Sequence, residues 1–482
     1  MKGKVLFVVH DVYQSDNEIP LGISYLVAAL KQEGVYAKVW CADVYHYANA
    51  EIAQRLAFSE WDIIGVGFLA ARFVETVLPL CETINKYKKN AWLVLGGHGP
   101  SALPKYMLEK TKADVICIGE ADETIVDVVK CKVNNKRLST VNGIAYKDKR
   151  GQIHVNPQRD PPKNLDSLPF PAWEEFPMDI YTSNMQYAGQ DRREKSFQLI
   201  SSRGCCQHPR CSFCFEMHKG YRLRSVENVV EEMKILYKKY SVSYFEFQDE
   251  MYVLGKKRLL EFRDAWDKAG LKVKFYCQTR VDNFDRETAE ILKEMGCKKI
   301  NIGFESMDDD VLKAMGKNTT ADQNESVAQI CKEVGLNMGL NFIWGLPKDT
   351  EESLRKDVDF ILKYNTYGEM RTVRPPSPYP SCRLYEDAIK QGLLSGPQDF
   401  FDKFQNSDLL TVNFTNISED KFYKLLFEAN KTLLRDHYAH TNDVRALEAI
   451  NSFHRLYFEG ETKYRGARHF EKKVTQHTVK FI

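Results

Sequence analysis

Apolar residues in the first part of the chain fall into short β-rich runs at positions 5–9, 37–40, 63–67, 92–95 and 115–118. Between the first two runs, Ile23, Leu26, Val27 and Leu30 recur at helical spacing. A strand followed by a helix every ~25–30 residues predicts a parallel sheet covered on both faces. The alternation resumes at 197–201, with further strands predicted at 244–247, 274–277, 299–303 and 338–343. Ser225 is a candidate N-cap for a helix that puts Val226, Val229, Val230, Met233, Leu236 and Tyr237 on one face. From about residue 396 the pattern turns helical and aromatic, with Phe400, Phe401, Phe404, Phe422, Tyr423 and Phe427. An aromatic stripe of this kind is more often core than a ligand box.

These shifts divide the chain. Residues 1–135 read as an α/β domain of doubly wound, Rossmann-like type, 136–192 as a linker, 193–395 as a second α/β domain and 396–482 as a helical C-terminal region. The linker is polar, with the charged run Lys147-Asp148-Lys149-Arg150-Gly151 followed by Pro157, Pro161, Pro162, Pro169 and Pro171. That composition predicts little regular structure. A mass of 55.7 kDa agrees with two or three domains. With 43% apolar and 28% charged residues the composition is that of an ordinary globular protein. The net charge of +2 gives no basic field for nucleic acid, and no apolar run approaches the ~18 residues of a membrane span. Twelve cysteines in 482 residues are too dilute for a disulfide scaffold, and the N-terminus lacks a signal-peptide pattern. A reducing cytoplasm is the expected compartment.

Four of those cysteines crowd together: Cys205, Cys206, Cys211 and Cys214. Soft thiolates at short spacing select zinc, copper or iron–sulfur clusters. Structural zinc needs a second Cys or His pair roughly 12–20 residues away, and His218 stands at the wrong distance for it. Three thiolates can instead hold three irons of a cubane and leave the fourth open to a small chelating molecule. Glycines punctuate the strand ends at Gly96, Gly97, Gly99 and Gly119. They either make tight turns only or let the backbone approach a large flat ligand. No Gly-x-Gly-x-x-Gly follows the first strand, which disfavours a dinucleotide site.

Leu95-Gly96-Gly97-His98-Gly99-Pro100, Gly119-Glu120-Ala121-Asp122-Glu123-Thr124 and the lead-in Ile19-Pro20-Leu21-Gly22 resemble the cobalamin-binding domain that precedes many radical S-adenosylmethionine (SAM) domains. The resemblance implies cobalamin held by Gly96, Gly97, His98, Gly119, Glu120 and Asp122. The chain has His10-Asp11-Val12-Tyr13 after the first strand but no Asp-x-His-x-x-Gly motif. Cobalt is therefore expected to lack a lower histidine ligand. Leu168-Pro169-Phe170-Pro171-Ala172-Trp173 is similar to the linker between the two domains of that family.

The second half resembles the radical SAM domain, a partial β/α (TIM-like) barrel whose function sits at strand C-termini. Cys211-Ser212-Phe213-Cys214 matches the end of the family's Cys-x3-Cys-x2-Cys loop, and Ser202-Arg203-Gly204-Cys205 matches its start. The spacing here is longer, so Cys205 is the favoured first ligand of a 4Fe-4S cluster with Cys211 and Cys214, and Cys206 is the alternative. The resemblance also implies SAM-binding residues. Asp249 and Glu250 are placed for the methionine ammonium and Arg280 for its carboxylate; Glu305 and Ser306 would approach the nucleoside. Each has a plainer reading, from a solvated acidic turn to an ion pair inside the barrel. Gly345-Leu346-Pro347-Lys348-Asp349-Thr350 resembles an adenine-side turn. Pro378-Tyr379-Pro380-Ser381 resembles a segment near the reaction centre, which makes Tyr379 a candidate catalytic residue.

The resemblance implies reductive cleavage of SAM to a 5′-deoxyadenosyl radical, hydrogen abstraction from an unactivated carbon of a small molecule, and methyl delivery from cobalamin. A C-methyltransferase is the leading expectation. A non-methylating radical cyclase or rearrangement catalyst is the alternative, and a sensor or carrier that only binds cobalamin or a cluster is the reading from another class. The partners implied are a small-molecule substrate and an electron donor such as flavodoxin or ferredoxin. The C-terminal region would cap the barrel and help select the substrate; Arg465 and Arg468 carry no assignable role.

Overall fold

A computed structural model describes residues 3–12, 18–70, 72–184, 190–191, 193–216, 218–252, 255–404 and 412–459. Tyr13, Arg465 and Arg468 lie outside the described residues. The chain divides into two compact units. The first comprises Met1–Met185, Met217–Asn228 and Lys238–Tyr240; the second comprises Gln186–Glu216, Val229–Tyr237 and Ser241–Ile482.

The first unit is a seven-stranded sheet. Its strands are β1 (Lys4–Val9), β2 (Tyr36–Cys41), β3 (Ile63–Gly67), β4 (Trp92–Gly96), β5 (Val115–Cys117), β6 (Ile144–Lys147) and β7 (Ile153–Val155), in the order β2-β1-β3-β4-β5-β6-β7. The five apolar runs of the sequence form the parallel part, with Val8 beside Trp40 and Val66 beside Leu95. Val5, Leu6, Val8, Ile63, Leu93, Leu95 and Val115 are fully buried, as a sheet covered on both faces requires. The chain leaves β1 toward β2 on one side and returns to β3 on the other. Strand order therefore reverses at β1 and β3, the position where doubly wound sheets bind ligands beyond the strand C-termini.

The stretch expected to be irregular is partly a hairpin. β6 runs antiparallel to β5, and β7 to β6. The charged run is its turn: Asp148 Oδ1 accepts from the N–H groups of Arg150 and Gln152, both at 2.9 Å, and Gly151 takes a φ of +81°. Three or four residues per strand are too few for a clear alternation to stand out against that charge. The following residues also pack on the sheet unit. Trp173 and Phe176 are buried, and the Tyr181 hydroxyl donates to Asp43 at 2.7 Å.

In the second unit β8 (Lys195–Leu199) leads to the cysteine loop, where β9 (Ser202–Gly204) is a short strand; β10 (Tyr221–Leu223) belongs to the first unit. Beyond it lie β11 (Val242–Phe247), β12 (Lys274–Thr279), β13 (Cys297–Glu305) and β14 (Met338–Phe342). The sheet order is β14-β13-β12-β11-β8, all parallel, and a bridge from Ile343 to Arg374 extends it. Helices Lys256–Ala269 and Glu351–Tyr364 cover one face, where Phe262 and Trp266 meet Phe247 and Phe275, and Phe360 meets Phe304 and Phe342. The C-terminal aromatics are core. Phe400, Phe401, Phe404 and Phe422 are at most 1% exposed, and Phe422 stacks on Trp344 with ring centres 4.8 Å apart. No helix among the described residues is long and apolar enough to cross a membrane.

Gly97 and Gly119 separate the two readings of the strand-end glycines. Gly97 has φ +97°, and a Cβ there would lie 2.4 Å from the Phe68 carbonyl oxygen. Gly119 has φ +75°, with nothing within 4 Å of a Cβ. Gly97→Ala is expected to cost more than ~2 kcal/mol in urea unfolding, and Gly119→Ala only ~1 kcal/mol, the conformational term alone. Equal losses at the two sites would refute this assignment.

Candidate active site

In the first unit, the loops after β4 and β5 meet. Helix His98–Ala102 begins right after Gly96 and Gly97, and the Ser101 hydroxyl accepts from the Gly119 N–H at 3.0 Å. Gly97 and Gly99 are dictated by the protein itself, since a Cβ at Gly99 would lie 2.5 Å from the Leu69 carbonyl oxygen. Gly119 opens onto free space, and Leu69, beyond the end of β3, is 66% exposed. Open glycine surface and an uncovered apolar side chain beside the switch point fit a large planar cofactor. His98 starts its helix in a half-buried position, and Asp122 is buried. Glu120 differs from the expectation: its carboxylate is taken up by Arg222, whose Nη1 lies 3.1 Å from Oε2 and also donates to the Pro162 carbonyl at 2.8 Å. A buried carboxylate is stable when paired, and this one is paired within the protein. His10 follows β1 with its ring edge against Phe68, and burial pushes its pKa down to about 4, so it is neutral.

In the second unit the cysteine loop rests on the end of helix Asp309–Met315. The Ser212 N–H donates to the Met315 carbonyl at 2.8 Å. The Gly316 carbonyl accepts from Gln207 Nε2 at 3.2 Å and from the Cys211 thiol at 3.9 Å. Arg280 Nη2 donates to the Lys317 carbonyl at 2.7 Å. Helix ends leave carbonyls without helical partners, and Gly316, with φ +74°, turns this run of three outward.

Cys205 shares its electrostatic surroundings with Cys211 and Cys214, and also with Cys206, whose thiol pKa is raised by burial and by Cys205. Burial raises the Cys211 thiol and pushes Cys214 up to about 12; Cys205 adds to both shifts, and Cys211 adds to that of Cys214. Arg210 opposes the shift at Cys214, while Lys317 and Arg280 oppose it at Cys211. Cys206 is exposed and turned toward the Met251 sulfur, 3.9 Å away. Among the described residues no three His, Cys, Asp or Glu side chains are close enough to share one metal ion. Cubane ligands each bind a different iron, so they sit farther apart than the ligands of one ion. Three thiols, buried or half-buried and flanked by cations, fit that donor set.

The expected SAM residues surround this loop with their side chains already engaged. Asp249 is buried and accepts from the Ser201 N–H (3.0 Å) and hydroxyl (2.8 Å) and from the Ser202 hydroxyl. Burial raises its pKa, and those serine bonds oppose the shift. Glu250 holds Arg210 at 2.6 Å. The two acids thus tie down the start and the middle of the cysteine loop. Arg280 grips Asp282 through Nε and Nη2, each at 2.9 Å. Burial lowers its pKa, but the Asp282 bonds outweigh it and hold the guanidinium above its usual range. Glu305, at φ +67°, bonds Lys317 Nζ through Oε1 at 2.9 Å. Ser306 is turned into the fold, 3.4 Å from Asp357 Oδ1, and also accepts from the Asp308 N–H. Asp349 is buried and ties the turn after β14, accepting from the N–H groups of Gly345 and Leu346 at 2.9 Å. Tyr379 is half-buried, its ring centre 5.3 Å from that of Phe404, and its segment reaches the loop through the Leu384 N–H on the Ser212 carbonyl at 2.9 Å. Lys317 was not among the expected residues. It stands 12 positions after its carboxylate partner, and the Gly-Lys step at a helix end was its only signal.

Comparison with known proteins agrees with this geometry. Residues 13–129 match the model of the B12 binding domain, and residues 199–361 match that of the radical SAM superfamily. An uncharacterized methyltransferase of Pyrococcus horikoshii is 27% identical over 453 residues, covering 91% of this chain and 94% of its own. An anaerobic magnesium-protoporphyrin IX monomethyl ester cyclase of Rubrivivax gelatinosus is 25% identical over 401 residues, covering 80% and 70%. The fold is shared with the radical SAM methyltransferase TsrM of Kitasatospora setae, solved with cobalamin and a 4Fe-4S cluster, at a TM-score of 0.65 and 18% identity over 81% of this chain and 75% of that one.

Single cysteine variants test which thiols serve as ligands. After anaerobic reconstitution, Cys205→Ala, Cys211→Ala and Cys214→Ala are each expected to lose the 4Fe-4S absorbance, while Cys206→Ala keeps about four irons per chain. The reverse pattern at 205 and 206 would move the first ligand to Cys206.

Proposed function

The chain belongs to the radical SAM proteins that carry an N-terminal B12-binding domain, and from that premise we propose that it is a cobalamin-dependent C-methyltransferase acting on a small molecule. The single observation behind this is the joining, in one chain, of a doubly wound unit open at its switch point and a cysteine loop braced on a SAM-type strand array. The P. horikoshii relative, similar over nearly the full length of both chains, is named a methyltransferase. The similarity to a named cyclase supports a second reading, radical cyclisation without methyl transfer.

In this reading residues 1–135 hold cobalamin, 193–395 hold the cluster and SAM, and the helical region from 396 caps the barrel. When bound, the cluster would supply an electron for SAM cleavage and cobalamin a methyl group. The protein's part is positioning and exclusion of water. Cys205, Cys211 and Cys214 present three thiolates, whose charge Arg210, Arg280 and Lys317 offset. Lys317 is a positioning residue. It fixes Glu305 Oε1, while Oε2 has no hydrogen-bond partner among the described residues and is free to accept from SAM. Asp249 and Glu250 act on the loop rather than on SAM. Tyr379 stands near the loop as the candidate for ordering substrate or passing a radical. An external one-electron donor such as flavodoxin or ferredoxin, in the cytoplasm, completes the cycle.

Two measurements test this. With methyl-labelled SAM, a strong reductant, cobalamin and cell extract, the protein is expected to form S-adenosylhomocysteine and 5′-deoxyadenosine in near-equal amounts, because methyl donation and radical generation each consume one SAM. Deoxyadenosine without S-adenosylhomocysteine would favour the cyclase reading. Lys317→Met is expected to keep its cluster yet bind SAM roughly tenfold more weakly in equilibrium dialysis, with Lys317→Arg restoring most of the loss. Unchanged affinity in Lys317→Met, or loss of its cluster, would remove the positioning role.

A further inference from the structure

The sheet of the second unit has two unlike faces. Along each strand, alternate residues point to opposite sides. Phe197, Phe245, Phe275, Ile300 and Leu340 are at most 3% exposed and belong to the face covered by helices. The face turned away from the helices is polar from edge to edge. Gln198 pairs with Glu246, Glu246 with Tyr276 and Tyr276 with Lys299 in one register layer. In the next layer Gln278 pairs with Asn301 and Asn301 with Gly339; above it Gly303 pairs with Asn341. The inside of a β/α barrel is ordinarily filled by branched apolar side chains. Here it is filled by amides.

The lower layer is satisfied within the protein. Gln198 Nε2 donates to Glu246 at 3.2 Å, the Asn301 amide donates to the Tyr276 hydroxyl, and Lys299 is paired with Glu369 at 2.8 Å. The upper layer is not. Gln278 is half-buried, and its side-chain amide has no hydrogen bond among the described residues. Asn341 is exposed although it lies within a strand, and among the described residues its side chain makes one long contact, 3.4 Å, to the Ile302 carbonyl. Gly303 and Gly339 contribute no side chain. Amides that the protein leaves open on an inner strand face are available to a ligand with its own donors and acceptors.

We propose that this inner face is the substrate site and that its substrate is a small, polar molecule recognised through uncharged hydroxyl or amide groups, with Gln278 and Asn341 as specificity-determining residues. The proposal rests on the radical SAM reading, but not on methyl transfer. A planar apolar substrate such as a tetrapyrrole would leave these amides buried and unpaired, at a cost a polar substrate does not incur. The cation of the lower layer, Lys299, is matched by Glu369, which disfavours recognition through a free phosphate there.

The test divides a cell extract into aqueous and chloroform-soluble fractions and adds each to the reconstituted holoenzyme with SAM and reductant. The expected result is that the aqueous fraction alone stimulates 5′-deoxyadenosine formation and raises the melting temperature. In Gln278→Leu and Asn341→Leu, roughly tenfold more of that fraction is expected to be needed for half-maximal stimulation. Phosphatase treatment of the fraction should leave the stimulation intact. Stimulation by the chloroform fraction alone, by neither fraction, or undiminished in both variants would overturn the proposal. Stimulation that follows the expected pattern without S-adenosylhomocysteine would instead overturn methyl transfer and leave this site standing.

Discussion

Three consecutive carbonyls at the end of one short helix organise the candidate active site. Met315, Gly316 and Lys317 present them to Ser212, Gln207, Cys211 and Arg280. A helix must dispose of its last carbonyls in some way, and a left-handed glycine is the usual means of turning the chain there. In this chain the carbonyls are not left to water. They become the bench on which the cysteine loop and Arg280 are fixed, and the residue that closes the run sends its ammonium to Glu305. The cysteine loop, Arg280 and Glu305 therefore share one support. A displacement of that helix end would move the thiols, Arg280 and Glu305 together.

The same support explains the charge arrangement. Carbonyl oxygens at a helix C-terminus disfavour further negative charge, yet three thiolates have to form beside them. Arg210, Arg280 and Lys317 supply the compensation, and each is held by its own carboxylate: Glu250, Asp282 and Glu305. Ion pairs of this kind add little net stability, because desolvation offsets attraction. Their effect is to keep three cations at fixed positions around the cysteine loop. The two acids expected at the SAM ammonium anchor the loop in this scheme, Asp249 through Ser201 and Ser202 and Glu250 through Arg210.

The sheets were legible in the sequence because strands buried on both faces, or on one face of a barrel, read as apolar runs of four to six residues that need no knowledge of their neighbours. The cysteine loop was legible for a like reason, since its chemistry is carried by residues close in sequence. What escaped notice depends on separated residues. The hairpin at β6 and β7 gains its stability by adding to β5, which no local pattern records. Lys317 matters only because Glu305 curls back at a positive φ to meet it. The engagement of Glu120 with Arg222 joins residues 102 positions apart. Motif resemblance singled out Glu120 and Asp249, but it could not tell which way the side chains turn once other partners are present.

Two glycines link the support to the inner face. A Cβ at Gly303 would lie 2.5 Å from Glu305 Oε1 and 2.8 Å from Lys317 Nζ, and a Cβ at Gly339 would lie 1.8 Å from Asn301 Oδ1. Neither glycine has a φ that demands it, so their need is for space. At Gly303 the space goes to the Glu305–Lys317 ion pair. At Gly339 it goes to an amide that would otherwise be driven out of the layer. Polar side chains on neighbouring strands can lie across the inner face only where the next position is vacant, because interiors leave no slack for a methyl group. Glycine in a strand interior is unfavourable on its own account. Its presence at both places means that the polar lining is specified at the cost of strand propensity, which is expected where the inner face serves a ligand rather than a core.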